Sequence, residues 1–362
     1  MSQRYQEFEA LISRVQSCRS CVRMCESVRV LSWANGDPHA PLMFLGEAPG
    51  RLGADRTAVP FHGDKSGDNF ERLLDLAGLK RSQIFVTNAV LCNPRDERGN
   101  NAPPTLTEID NCAQHLKSQI DLIQPQMVMT LGGVSLEATR RIEPHDYSLR
   151  ASVRTANSWY GRLLLPLYHP GARAMIHRSF ANQTADYYFV GETFRRLTRP
   201  SNNFSRTVRG SKAEWDTVRY LIESLGVVTN FRLHKIMYLI DLAAYKAMGT
   251  RATNFLYLRQ KDGPYCVELG SKWYQRFEGN LAIRKTGGAL TFEWRSTGLF
   301  ARSDENLAID HQITALVDEV VDSTTPLSDA QLKTRAYLTE PMRLVLKAEK
   351  AGHPMLNKPL WS

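Results

Sequence analysis

Three polar side chains of different chemistry stand at the ends of apolar runs in this chain: the carboxylate of Glu47, the carboxamide of Asn88 and the imidazole of His169. Glu47 follows the run 42–46 and opens the turn Glu47-Ala48-Pro49-Gly50; Asn88 lies in the run 84–91, which ends at Cys92; His169 follows the run 163–168 and leads into Pro170-Gly171. A short buried parallel strand that ends in a glycine turn delivers its next side chain and several backbone N–H groups to a pocket edge. Open α/β sheets place ligand sites at such strand ends. An acid, an amide and an imidazole at equivalent positions imply one shared site.

A second set of residues is suited to metal chemistry. The chain has six cysteines, at positions 18, 21, 25, 92, 112 and 266. Cys18 and Cys21 are spaced to chelate together from one turn, and Cys92 and Cys112 would close long loops onto them. Four thiolates suit zinc or an iron–sulfur cluster. The plain alternative is four unrelated thiols, since free cysteine packs as a small hydrophobe. Cys25 is a possible substitute for one ligand, and Cys266 reads as structural. No apolar signal segment stands at the start, so a secreted disulfide framework is not expected and the chain reads as cytoplasmic.

The elements that must position these residues alternate. A helix carrying Phe8, Leu11, Ile12 and Val15 leads into the cysteine segment. Strands at 42–46, 84–91, 127–131 and 163–168 are separated by amphipathic helices, one with Phe70, Leu73, Leu74 and Ala77, another with Ile109, Cys112, Leu116 and Ile120, for which Thr107 is the expected N-cap. That alternation predicts an α/β fold with a mainly parallel sheet covered on both faces. A polar, arginine-rich stretch near 194–212 reads as a linker or a basic strap, and beyond it helices dominate, at 218–225, 233–247, 309–321 and 329–337, with short strands at 255–258 and 290–294. The expected organisation is a domain at 1–200, a basic linker at 201–212 and a smaller, mostly helical α+β domain at 213–362. With 362 residues the chain is long enough for two cores. No run of eighteen apolar residues occurs, so no membrane span is expected, and a formal net charge of +9 favours a polyanionic partner such as nucleic acid.

Taken together, Gly46-Glu47-Ala48-Pro49-Gly50, Pro60-Phe61-x-Gly63, Thr87 to Cys92, Pro104-Thr105 ahead of Glu108 and Cys112, Thr130-Leu131-Gly132 and Tyr168-His169-Pro170 resemble the motifs of the uracil-DNA glycosylase superfamily, in particular its iron–sulfur families 4 and 5. Any one motif is weak; six in order, with the four cysteines, are strong. The resemblance implies a three-layer α/β/α fold with a four-stranded mainly parallel sheet, a [4Fe–4S] cluster on Cys18, Cys21, Cys92 and Cys112, and excision of a base flipped out of DNA. It further implies that Phe61 stacks on the base and Asn88 pairs with its polar edge. His169 donates to the departing anionic base and Glu47 orients or activates water, while backbone around Gly46, Ala48 and Gly50 lines the pocket. The segment after His169 occupies the place of the family's DNA-wedging loop, with Met175 or Ile176 as the wedge and Arg173 and Arg178 on phosphates. No lysine stands in the matched motifs to form a Schiff base, so the implied enzyme is monofunctional.

Residues 51–57 have the flavour of family 5, whereas Glu47 and Asn88 follow family 4. Asn88 and Phe61 are both kept, so the target base is uracil by default, with a hypermodified base of phage DNA as the alternative in an antiviral setting, and a non-catalytic DNA sensor or antitoxin-type binding protein as the other. Around Leu233 to Asp241 and Gly263-Pro264-Tyr265 the C-terminal part resembles the Panacea domain of SocA-like antitoxins, with a Gly-Pro-Tyr turn expected after a strand. That resemblance implies a binding or regulatory module and a toxin-like or defence-system partner.

Overall fold

Five-residue runs of apolar and β-branched residues bounded by turn formers make the core strands of the first half of the chain. This computed structural model describes residues 3–198, 211–270, 272–295 and 307–360. The chain divides into two compact units, Met1–Pro200 and Ser201–Ser362.

In chain order the first unit comprises α1 (Gln3–Gln16), β1 (Leu42–Gly46), α2 (Ala54–Thr57), α3 (Lys65–Ala77), β2 (Ile84–Asn88), α4 (Leu106–Ile123), β3 (Met127–Leu131), α5 (Gly133–Thr139), α6 (Leu149–Ser152), β4 (Asn157–Trp159), β5 (Arg162–Leu167), α7 (Ala172–Met175) and α8 (Phe180–Thr198). The sheet order is β2-β1-β3-β5-β4. Four strands run parallel as expected, and β4 adds a short antiparallel edge, giving a mixed five-stranded sheet. The edge strand escapes a periodicity reading because Asn157, Ser158 and Trp159 carry no apolar alternation. β1 is buried along its whole length. Met43 and Leu45 face one core with Phe8, Leu11, Leu116 and Ile120 of α1 and α4; Leu42 and Phe44 face another with Phe70, Leu73 and Leu74 of α3 and Tyr187 and Val190 of α8. Burial on both faces is the signature of a parallel sheet between helical layers.

Two boundaries differ from expectation for local reasons. Strand β2 stops at Asn88, where Ala89 and Val90 turn to donate to the carbonyls of Gly46 and Glu47. The N-cap of α4 is Thr105, not Thr107: Thr105 Oγ1 accepts from the Glu108 N–H and Glu108 reaches back to the Thr105 N–H. That reciprocal capping box satisfies two donors that a cap at Thr107 would leave open.

The second unit comprises α9 (Lys212–Leu225), β6 (Val227–Thr229), α10 (Asn230–Met248), β7 (Tyr257–Gln260), β8 (Gly263–Cys266), β9 (Leu281–Thr286), β10 (Ala289–Trp294), α11 (His311–Thr324), α12 (Asp329–Tyr337) and α13 (Glu340–Lys350). It is α+β, with a three-stranded sheet β6-β10-β9 and a hairpin β7-β8. Gly263-Pro264-Tyr265 forms strand β8 and not a turn: Gln260 pairs with Gly263, and the turn lies at Lys261-Asp262. Residues 201–210 of the expected linker lie outside the described residues; Ser211 and Lys212 belong to α9, which Ser211 caps. Among the described residues no helix is long and apolar enough to cross a membrane.

Candidate active site

Sheet register brings the three polar residues level. Gly46 pairs with Asn88 across β1 and β2, and Leu131 pairs with Leu167 across β3 and β5. The residues next past those pairs, Glu47, Gly132 and Tyr168-His169, therefore share one sheet edge. A cleft of about 720 Å³ opens there, lined by Glu47, Ala48, Gly50, Phe61, Asn88, His169 and Arg173 among others. That volume lies within the range of small-ligand pockets. Every base-binding or catalytic residue expected from the sequence lines it except Gly46. Gly46 lies beneath: a Cβ there would stand 2.4 Å from Asn88 Oδ1 and 2.8 Å from Phe61 Cε2. The missing side chain is what lets the ring and the carboxamide meet over β1.

Phe61 is held in a left-handed backbone conformation, φ +51°. Its carbonyl packs against Gly67 in α3, where a Cβ would come within 2.5 Å of it. The ring lies 4.8 Å from Phe70 and 5.6 Å from His169, centroid to centroid. Asn88 is buried, yet its carboxamide makes no hydrogen bond to another described residue. An unspent amide at the floor of a cleft is available to a ligand edge.

His169 is oriented from behind. Gly171 N–H donates to His169 Nδ1 at 3.0 Å, Gln183 Nε2 donates to the His169 carbonyl at 3.3 Å, and Asn69 Nδ2 donates to the Pro170 carbonyl at 2.9 Å. Because Nδ1 accepts, the neutral ring carries its proton on Nε2. Burial pushes the imidazole's pKa down, with a smaller opposing effect from Asp64. Burial pushes the Glu47 carboxyl up, partly offset by the Arg173 guanidinium. The cleft thus holds a neutral imidazole and a carboxyl of raised pKa.

Sequence reasoning overlooked Asp64, which lines the cleft and caps α3 by accepting from Gly67 N–H at 2.9 Å. Asp64 ahead of Lys65-Ser66-Gly67 carried the capping signal. It also overlooked Asn93 and Asn101, which line the cleft too.

The residues expected to face DNA divide. Arg173 is exposed at the cleft rim, Ile176 is 81% exposed and Met175 is half-buried. Arg178 is otherwise engaged: its guanidinium donates to both oxygens of Asp186, one at 2.6 Å, and Asp186 is almost fully buried. Arg154 lies 3.6 Å from the same carboxylate. Arg178 thus fastens the loop to Asp186.

Cys18, Cys21, Cys25, Cys92 and Cys112 line a second, small pocket together with Arg29. Arg29 donates to the carbonyls of Cys18 and Cys25, at 3.0 and 2.8 Å, which folds the cysteine loop around the guanidinium. Burial pushes the Cys92 thiol up to about 11 and the Cys112 thiol up to about 12. Among the described residues no group of three or more His, Cys, Asp or Glu side chains could hold a single metal ion. The donor chemistry of the pocket is nevertheless that of a thiolate-bound cluster, which takes one cysteine at each iron. Cys266 is buried in the core of the second unit, as expected.

The Uracil DNA glycosylase superfamily profile matches residues 33–190, all within the first unit. The type-4 uracil-DNA glycosylase of Sulfurisphaera tokodaii is 32% identical over 169 residues, 45% of this chain and 74% of that protein. The type-4 enzyme of Archaeoglobus fulgidus is 24% identical over 192 residues, 52% of this chain and 93% of its own length. The type-5 uracil-DNA glycosylase of Thermus thermophilus is 31% identical over 159 residues, 36% and 70% of the two chains. Likeness to both types agrees with the mixed motif pattern around Glu47. The matched span contains the four parallel strands, the cleft and the residues that line it, and on that footing the chain belongs to the uracil-DNA glycosylase superfamily.

Proposed function

We propose that the protein is a monofunctional DNA glycosylase that hydrolyses the N-glycosidic bond of a flipped-out base, uracil by default, and leaves an abasic site. The observation that carries this reading is the convergence of Glu47, Phe61, Asn88 and His169 on one cleft, with Nδ1 of His169 occupied by the Gly171 N–H. Chemistry on a base inside a duplex requires that the nucleotide be extruded. Phe61 stacks on the extruded base and Asn88 pairs with its polar edge. As the bond from C1′ to the base nitrogen breaks, its electrons pass to the base, and the sugar acquires oxocarbenium character. The Nε2–H of His169 donates to the anionic base, a preorganised donor where charge develops. Glu47 orients the water whose oxygen joins C1′ and takes up its proton. Met175 or Ile176 fills the gap in the stack and Arg173 meets phosphate.

Cys18, Cys21, Cys92 and Cys112 hold a [4Fe–4S] cluster in this reading. These four thiolates would tie the cysteine loop to the segment after β2 and to α4 when the cluster is bound. The second unit is read as a binding or regulatory module for a toxin-like or defence-system protein. Co-expression with the products of neighbouring genes tests that role, and base release unaffected by any of them counts against it.

The test of the catalytic reading is base release by the purified protein from uracil-containing DNA, unmodified DNA and phage DNA with substituted cytosines, followed by alkaline cleavage of abasic sites. Breaks confined to uracil DNA are expected. Breaks confined to the phage DNA would reassign the substrate to a modified base and place the protein in antiviral defence. DNA binding with no breaks in any substrate would make it a sensor.

A further inference from the structure

Beside the Glu47 turn lies a polar junction, centred on the buried Asn93, that none of the expected site residues explains. Asn93, 1% exposed, follows Cys92 directly. Its Nδ2 donates to the carbonyl of Pro49 and, at 2.9 Å, to Asn101 Oδ1. Asn101 Oδ1 also accepts from the Arg51 N–H at 2.9 Å. The turn that follows Glu47 is thus gripped at Pro49 by one carboxamide and at Arg51 by another. On the far side, Asn93 Oδ1 accepts from Arg95 Nε at 3.0 Å, and Arg95 pairs with Asp55, whose carboxylate is almost fully buried. The Asn93 carbonyl accepts from Ser27 Oγ at 3.0 Å. Both ends of the Asn93 side chain are spent, so its rotamer and amide orientation are determined by the network.

A carboxylate that must aim at a water on a flipped sugar tolerates little displacement. Misplacement by about 1 Å costs roughly 10²-fold in rate. The Glu47 carboxylate has no hydrogen bond to another described residue to aim it, although the Glu47 carbonyl accepts from the Val90 N–H at 3.2 Å. Its position is set through the backbone: by β1 and the Val90 N–H on one side, and on the other by the turn that Asn93 and Asn101 hold. We infer that Asn93 is the positioning residue for Glu47, acting with Asn101 through the backbone of the 47–51 turn. This rests on the glycosylase reading for what Glu47 does, but not for how the turn is held.

The experiment uses the full chain with Asn93→Asp, which keeps the shape and the acceptor for Arg95 but loses both donors, alongside Asn101→Ala and Asn101→Asp. Two readouts are taken: single-turnover base release with abasic-DNA affinity, and amide hydrogen exchange of the peptide spanning residues 46–52. The expected result for Asn93→Asp is a chemical step slowed about 10- to 100-fold, affinity within about twofold, and faster exchange in that peptide. Asn101→Asp, which keeps the oxygen that accepts from Arg51 and Asn93, recovers most of what Asn101→Ala loses. In a Glu47→Gln background the Asn93 change adds little, because residues acting as a unit are non-additive. Unchanged exchange in the 46–52 peptide, full additivity with Glu47→Gln, or a rate loss matched by lost DNA affinity overturns the inference. If the wild-type protein releases no base, the glycosylase reading fails, and the exchange arm alone decides whether Asn93 holds the turn.

Discussion

Gly171 places its backbone N–H 3.0 Å from Nδ1 of His169 and can do so only because it lacks a Cβ, which would stand 2.8 Å from that same nitrogen. One contact therefore selects the ring tautomer and leaves the proton on Nε2. Gly171 has φ −82°, so its requirement is for space and not for an unusual backbone. Gly171→Ala is expected to slow base release by about 10- to 100-fold, the cost of a small misplacement, with binding to abasic DNA retained. His169→Ala is expected to lose about 10²- to 10⁴-fold, the range of a general acid or oxyanion donor. Single-turnover kinetics on a uracil duplex measure both; a Gly171→Ala protein with the wild-type rate would remove the tautomer argument.

The two titrating groups in the cleft are displaced in opposite directions, and the signs matter. Burial lowers the His169 pKa from 6.5, so the ring stays neutral at physiological pH and the alkaline side of the rate profile is flat there. Burial raises the Glu47 pKa above 4.5, so the acid limb of the profile lies higher than an ordinary glutamate would give. Glu47→Gln should abolish that limb along with most of the rate.

The same shift affects stability. A carboxyl whose folded pKa is raised costs the folded state stability above that pKa, and the cost disappears as pH falls through it. Glu47→Gln should therefore raise the melting temperature at pH 7 by about 1–3 °C, with the gain shrinking on acidification. Calorimetry across pH decides this; a gain that grows toward low pH contradicts the sign.

Arg173 and Arg178 lie on one loop but should behave differently. Arg173 is exposed at the rim, so Arg173→Ala should lower DNA affinity and reduce the salt slope by about one. Arg178 is bound to Asp186, so Arg178→Ala should act mainly on stability. Asp186→Asn, which leaves two arginines beside a buried neutral amide, should cost about 3 kcal/mol or more. Salt-dependent binding and denaturant titration separate the two residues. A salt slope that falls as much for Arg178→Ala as for Arg173→Ala would return Arg178 to the phosphate contacts.

Serine replacement of Cys18, Cys21, Cys92 or Cys112 should each remove the broad visible absorption of an iron–sulfur centre and lower the melting temperature. Cys25→Ser should keep both, since the Cys25 thiol is turned to the carbonyl of Cys21 at 3.3 Å. Iron and sulfide quantification with the visible spectrum provides the check; loss of colour in Cys25→Ser would exchange the fourth ligand.

The sequence by itself determined the layered α/β order, the four parallel strands and the cleft residues Glu47, Asn88 and His169, because each follows from a local signal: an apolar run, the turn that ends it and the polar residue beside that turn; Phe61 came from the family resemblance. Strand periodicity and glycine turns act over a few residues, so they can be read one segment at a time. What the tertiary structure alone decided is how distant segments spend their polar groups. Arg178 looks like any exposed basic residue until Asp186, from the next helix, takes its guanidinium. Asn93 and Asn101 look like loop filler until folding brings the Glu47 turn against them. The proton on His169 is assigned by a backbone N–H two residues on, through a turn whose shape no spacing reveals. Hydrogen bonds between segments depend on distances and angles that only packing supplies, and no periodicity in the chain encodes them.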